Sequence, residues 1–428
     1  MQLELREPLR TQRDQAGVVR ARRDLGEPHL VALHEQFHPE HAPAAEVSGD
    51  GAGDLLHAGR ARAGGEHLAE NDFGHFLALD ACLFESGFDR DAPLLQALAQ
   101  DPVLRQVRLV AEPWDIGEGG YQLGGYPRGW SEWNDQFRDS VRGFWRGDRG
   151  MLPKLTQGLT GSREIFQPSG RSPLASVNYA ASHDGYTLAD VVSYEAKHNA
   201  ANGEDNRDGH GHNLSCNHGV EGPTDDLDIR ARRARQVRNM LAMIFLAPGV
   251  PMLLMGDERS RTQGGNNNAY CQDNETSWVD WETDPDPALS DFVSTLTRLR
   301  AAQPALRRTR FFDGARIDPD EPQRDIHWLA PGGAEMSAED WADEGRRVFG
   351  MQAGNDDAGH DRVLILVNGS DAPCAFALSP VVGGPWRAAF DSTAGDGQPV
   401  GFEPVEADGE VSLPPRSVQV FLSSPETV

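Results

Sequence analysis

From Gly87 to Ala302 the chain alternates short apolar runs with polar or acidic stops and longer stretches of helical spacing. The segment from Asp91 to Leu98 reads as a capped helix with Pro93 in its first turn. Val107–Ala111 is an apolar, β-branched run that stops at Glu112-Pro113-Trp114-Asp115. Around Trp133–Trp145 apolar residues recur at helical spacing (Phe137, Val141, Phe144, Trp145), which predicts a long helix. A second strand-like run, Ser176–Ala181, stops at Ser182-His183-Asp184-Gly185. Asn202–His212 is polar and glycine-rich, hence a loop. Ile229–Leu246 reads as a strong helix, with Asp225, Asp226 and Asp228 at its positive end and Pro248-Gly249 ending it. A third apolar run, Val250–Met255, stops at Gly256-Asp257-Glu258, and a helix over Leu289–Ala302 precedes Pro304.

Strand, polar stop and helix in repetition imply a parallel sheet with helical crossovers. Apolar strands that each end in carboxylates point to a (β/α)₈ barrel, which carries its chemistry at the C-terminal strand ends. Beyond about residue 310 the pattern changes to short alternating segments between Pro/Gly turns: Val363–Asn368, Cys374–Leu378, Trp386–Phe390 and Val418–Leu422. These predict a small antiparallel β domain. The expected class is therefore α/β, with three parts: residues 1–86 unassigned, 87–305 barrel-like and 306–428 a β-sandwich domain.

Composition sharpens the first boundary. All nine Trp and all six Tyr lie after residue 110, whereas seven of the fourteen His fall in the first 75 residues. A folded domain draws on large aromatics to fill its core, so residues 1–86 read as poorly folded or foreign to the rest. The 428 residues carry 40 Lys+Arg against 66 Asp+Glu, a net charge of −26. That acidity disfavours nucleic-acid and membrane-surface partners. Nothing approaches the length of a membrane span, no secretory signal is expected from Met1–Arg10, and Cys82, Cys216, Cys271 and Cys374 are scattered. The expectation is a cytoplasmic protein in a reducing compartment.

Glu112 and Asp184 are the leading chemical candidates, because each follows a buried-type strand and would point into one mouth of the barrel. The Pro113-Trp114 surroundings of Glu112 favour a raised carboxyl pKa and general-acid work. The bland alternative is that each carboxylate caps a helix or pairs with an arginine. Trp114, Tyr121, Tyr126, Trp130 and Trp133 cluster after Glu112, and flat aromatic faces beside carboxylates suit sugar rings. The alternative for these aromatics is ordinary core, which Trp133 fits best. A rival motif, His34-Glu35-Gln36-Phe37-His38, matches the HExxH zinc-peptidase pattern. Pro39 would break its helix, and the segment is His-rich, so a solvated run is the simpler reading.

The residues also resemble a family. Val110-Ala-Glu-Pro-Trp-Asp-Ile-Gly117 with Gly119-Gly-Tyr-Gln-Leu-Gly124 resembles the fifth-strand motif of bacterial glycogen debranching enzymes, isoamylase-type members of the α-amylase superfamily. Val177-Asn-Tyr-Ala-Ala-Ser-His-Asp-Gly185 is similar to their seventh-strand motif. Further matches are Asn202–Gly209, Gly219–Asp226, Gly265–Glu275 and Glu335–Trp341, so the resemblance covers about 340 residues from Gly87 onward. It implies the C-terminal half of a (β/α)₈ TIM-type barrel followed by a small antiparallel β-sandwich. It also implies hydrolysis of α-1,6 branch linkages in glycogen or a related α-glucan by a retaining mechanism; no cofactor and no metal-ligating residue is expected, and a structural metal ion in the Asn202–Asn213 loop stays open. By the resemblance Glu112 is the acid/base, Asp184 the carboxylate that stabilises the transition state, and His183 a holder of a sugar hydroxyl. Trp114, Asp115 and Tyr121 are then substrate-binding.

The family's nucleophile, an Asp in a Phe-Arg-x-Asp pattern, has no match; by spacing it would fall near Phe76, and Asp80 is the nearest stand-in. Residues 1–86 are too few for four further strands and an N-terminal module. The expectation is an impaired hydrolase with a foreign N-terminal segment, the alternative being a non-catalytic glucan-binding remnant. Asp257-Glu258-Arg259-Ser260-Arg261 also departs from the family, which usually has an aromatic and a Gly where Arg259 and Ser260 stand.

Overall fold

The computed structural model describes residues 83–84, 87–115, 119–283, 286–316, 324–354, 362–378 and 385–423. Asp80, the HExxH match at His34–His38 and the region 1–82 as a whole lie outside the described residues.

A two-stranded hairpin, β1 (Leu83–Phe84) with β2 (Gly87–Phe88), precedes helix α1 (Pro93–Gln100). Pro93 occupies the first turn as expected, but no side chain caps this helix. Four short strands then pair in parallel and in chain order: β3 (Leu109–Ala111), β4 (Trp130–Trp133), β5 (Ser176–Asn178) and β6 (Val250–Pro251). The register sets Ala111 beside Glu132, and Val177 beside both Trp133 and Val250. Each strand ends within one residue of its neighbour, and the loops carrying the candidate residues leave from this common edge.

β4 departs from the expected single helix over Trp133–Trp145. Helix α2 runs only over Asp135–Arg146, because Asn134 is extended and its side chain accepts the Phe137 N–H at 3.0 Å as N-cap. Gly147 ends it at φ +98°. Strand β4 hides a charge: Glu132 is fully buried, accepts the Gly124 N–H at 2.6 Å and pairs with buried Arg171. An ionisable residue in a buried strand breaks the apolar pattern by which strands are recognised.

Helices α3 (Leu152–Leu159), α4 (Arg163–Phe166) and α5 (Leu188–Val191) are short, and two longer ones follow. α6 (Leu227–Leu246) starts at an Asp226 cap and α7 (Pro287–Ala302) at an Asp286 cap, each slightly longer than its spacing predicts. Arg300 of α7 donates to the carbonyls of Phe245, Ala247 and Gly249, satisfying free carbonyls at and beyond the C-terminal end of α6.

The C-terminal strands form a sandwich. Five are antiparallel in the order β11 (Arg387–Asp391), β13 (Ser417–Ser423), β9 (Arg362–Asn368), β8 (Val348–Ala353) and β7 (Ile326–Leu329). The short helix α8 (Ala338–Ala342) lies between β7 and β8 in the chain, and β10 (Cys374–Ala377) with β12 (Glu410–Leu413) make a second, two-stranded sheet. Strand β9 divides two cores by the two-residue period of its side chains. Val363, Ile365 and Val367 join α2, α6 and α7, while Leu364 and Leu366 join Phe376, Leu413 and Trp386. Polar stitches hold α6 to this sheet. Asn239 donates to the Arg416 carbonyl at 2.9 Å, and Ser392 Oγ donates to Asn239 Oδ1 at 2.7 Å.

Candidate active site

The first wall of the site is the exit of β3. Ala111 and Pro113 are buried while Glu112 and Trp114 are half-buried, so strand alternation turns the carboxyl and the indole toward the loops. The Pro113 carbonyl accepts the Gln122 N–H at 2.7 Å, which folds the 113–122 loop back on itself. Asp115 is exposed. Tyr121 is exposed too, and its hydroxyl donates to Asp135 Oδ1 at 2.8 Å. Partial burial, helped by that carboxylate, pushes the Tyr121 phenol upward, and burial also raises Asp135.

The second wall is the exit of β5. Tyr179, Ala180, Ala181 and Ser182 are buried, then His183 and Asp184 emerge, with Nε2 3.5 Å from Oδ1. Two buried ionisable side chains clamp this exit. Arg142 of α2 donates from Nε to the Ala180 carbonyl at 2.7 Å and from a terminal nitrogen to the Asn213 carbonyl at 2.8 Å. Burial pulls its pKa down to about 10. Asp257, beyond β6, is 1% exposed and accepts the Leu188 N–H at 3.0 Å, four residues after Asp184. Burial drives its carboxyl up to about 7 against the opposing pull of that hydrogen bond and of Arg261 and Arg142, with Glu258 adding to the rise. His210 lies against Gly185, 3.6 Å from where a β-carbon would stand. Burial, with Arg138 and Arg142 nearby, pushes its imidazole pKa down and favours the neutral form.

Trp133 joins the two walls. Its ring centroid is 6.5 Å from Trp114, 6.2 Å from Tyr179 and 5.4 Å from His183, the last edge-on. A row Trp114–Trp133–His183 thus runs between the strand ends that carry Glu112 and Asp184. Trp133 is half-buried and part of this row, which corrects its expected place in the core. Tyr126 and Trp130 are corrected in the opposite sense: both are buried with Ala92, Leu95 and Ala111 in a separate small core. Tyr121 stands at the α2 side of the loop and has no ring contact with the row among the described residues.

Sequence reasoning missed Tyr179, Arg142, Asp257 and His210. The available signal was a charge at an apolar helix position, since Arg142 is flanked by Val141 and Phe144. Among the described residues no group of three or more His, Cys, Asp or Glu side chains is poised to hold a metal ion.

No protein-family profile matches the chain. It is 52% identical over 254 residues to the glycogen operon protein GlgX homolog of Mycobacterium tuberculosis, covering 59% of this chain and 35% of that one. To the glycogen debranching enzyme of Escherichia fergusonii it is 42% identical over 316 residues, covering 74% of this chain and 45% of the relative. The chain thus spans less than half the length of these curated relatives. Among solved structures it is similar to a pullulanase from Bacillus acidopullulyticus (TM-score 0.54, 20% identity, 74% of this chain and 34% of that one). A second is the type I pullulanase of Bacillus subtilis with maltose (TM-score 0.53, 20% identity, 77% and 41%). The resemblance to bacterial glycogen debranching enzymes is borne out. So is the fold class: α/β, with the parallel sheet of a (β/α)₈-type barrel followed by an antiparallel β-sandwich.

Proposed function

We propose that this chain carries the acid/base half of a retaining glycoside hydrolase site for α-1,6 branch linkages in glycogen or a related branched α-glucan. The observation that carries the reading is the row of Trp114, Trp133 and His183, whose rings stand tilted to one another between two strand-end carboxylates, so that a sugar packs on single aromatic faces with a carboxyl group at either end. The names of the relatives support the substrate class. In this reading residues 87–305 are the catalytic part and 306–428 the supporting β domain.

Glu112 protonates the glycosidic oxygen as the bond breaks, and later takes a proton from the attacking water. Asp184 accepts hydrogen bonds from the sugar and offsets the positive charge that develops at the anomeric carbon. His183 bonds a sugar hydroxyl, its ring held by the edge contact with Trp133. Trp114 gives the stacking face, while Asp115 and Tyr121 line the outer rim. A retaining mechanism needs a nucleophilic carboxylate about 5 Å from the acid. No Phe-Arg-x-Asp pattern supplies one here, so sugar binding is expected to outlast turnover.

The test is the purified chain on glycogen limit dextrin, with reducing-end release and binding measured separately. Release abolished by Glu112→Gln with binding retained supports catalysis by this chain. Binding without release, unaffected by Glu112→Gln, supports the second reading, a glucan-binding module. Failure to bind the dextrin overturns both.

A further inference from the structure

The loop from β6 to α7 holds two indoles that the fold leaves in solvent: Trp278 is 61% exposed and Trp281 60%. Large aromatics are normally buried for the apolar area they remove from water, and here both are instead exposed and held in place. Trp278 Nε1–H donates to Asp273 Oδ1 at 3.0 Å, which fixes the ring's edge and leaves its faces bare. The Arg259 guanidinium lies 5.5 Å from the Trp281 ring centroid and donates to the Thr283 carbonyl at 2.6 Å, tying the second indole to its own loop.

This loop is continuous with the candidate site. Gln272 and Asn268 are bonded to Asn202 and Asp208, and Asn267 Nδ2 donates to the His210 carbonyl at 2.8 Å. His210 in turn lies against Gly185, the neighbour of Asp184. The loop also leaves the C-terminal end of its strand, as do the loops bearing Glu112 and Asp184, and these ends share one face of a parallel barrel. The surrounding charge narrows the ligand. Asp273, Glu275, Asp280 and Glu282 flank the indoles, and hydrogen bonds from Thr283 and Glu282 lower the Asp280 pKa, keeping it ionised. An acidic rim repels phosphate polymers and anionic lipid but accepts hydrogen bonds from sugar hydroxyls.

We infer that Trp278 and Trp281 form an accessory platform for an outer arm of the same α-glucan whose branch point occupies the strand-end site. The inference rests on the glucan reading of that site. The platform acts through the apolar C–H faces of successive glucose rings, so it engages long chains and ignores ligands too short to span from the strand ends.

The experiment compares the full chain with Trp278→Ala, Trp281→Ala and the double variant by calorimetric titration with glycogen limit dextrin and with maltotetraose. Thermal melting and sedimentation are recorded alongside. Each alanine is expected to weaken dextrin binding about fivefold, the equivalent of roughly 1 kcal/mol of lost stacking. Maltotetraose affinity and melting temperature are expected to stay unchanged. Unaltered dextrin affinity overturns the platform alone. Equal losses for both ligands also overturn it, since the indoles would then belong to the strand-end site. A dimer of the parent chain that the variants abolish assigns the indoles to a contact between copies instead. A parent chain that binds neither ligand overturns the underlying glucan reading.

Discussion

Asp257→Asn isolates the buried carboxyl that braces the loop after Asp184. Asp257 is enclosed, its pKa is pushed from an ordinary 3.8 up to about 7, and the largest cause is burial. A carboxyl whose pKa is higher folded than unfolded favours the fold when protonated. Its contribution is full below about pH 4 and is lost as pH rises through 7. A shift of about 3 units at 1.36 kcal/mol per unit makes that loss about 4 kcal/mol between pH 4 and 8. Asparagine keeps an oxygen for the Leu188 N–H and never ionises. Burial also raises Glu132, Asp190 and Asp325, but these groups are common to both proteins and cancel in the difference. Urea unfolding of parent and variant at intervals from pH 4.5 to 8 measures that difference directly. The variant is expected to gain on the parent as pH rises toward 7 and to level off above it, by about 3 to 4 kcal/mol in all. A difference that stays flat with pH, or that favours the parent more at pH 8, would refute the assignment.

Other perturbations probe the scaffold. Arg142→Met removes the donors to the Ala180 and Asn213 carbonyls and is expected to cost about 2–4 kcal/mol by urea midpoint, with weaker dextrin binding at temperatures where the fold persists. Glu132→Gln leaves the Arg171 guanidinium buried without its counter-charge, and a loss of about 3–5 kcal/mol is expected in calorimetry. Gly249→Ala combines φ +121° with a β-carbon 2.8 Å from Asn178 Nδ2. A fall in stability of about 2 kcal/mol or more is expected, read as a lowered melting temperature.

The elements legible in the sequence were those whose burial is apolar. β3, β5 and β6 follow β-branched runs with abrupt polar stops, and α6 and α7 carry aspartate caps where their spacing begins. The runs overshoot the strands, however. Ser176–Ala181 pairs only through Asn178, because Ala180 bonds outward to Arg142 rather than along the sheet. β4 was illegible because Ser131 and Glu132 are polar and still buried, stabilised by partners more than thirty residues away. β8 was obscured by Gly350 and Gln352. Gly350 is required because a β-carbon there would stand 2.9 Å from the Phe376 ring. The site was half legible. The positions of Glu112, His183, Asp184 and Trp114 at strand exits follow from local pattern. Which nearby aromatic faces the site is a matter of strand register, so Trp133 and the Tyr126–Trp130 pair exchanged places.

In the proposed reading the two strand exits and the row between them recognise a branched α-glucan. Calorimetric titration of the chain with a branched limit dextrin, set against an unbranched maltooligosaccharide of equal length, decides this. Tighter binding of the branched ligand is expected, with loss of that preference in Trp133→Ala at temperatures where the variant remains folded. Equal affinity for the two ligands, or a preference that survives without the Trp133 ring, would contradict it.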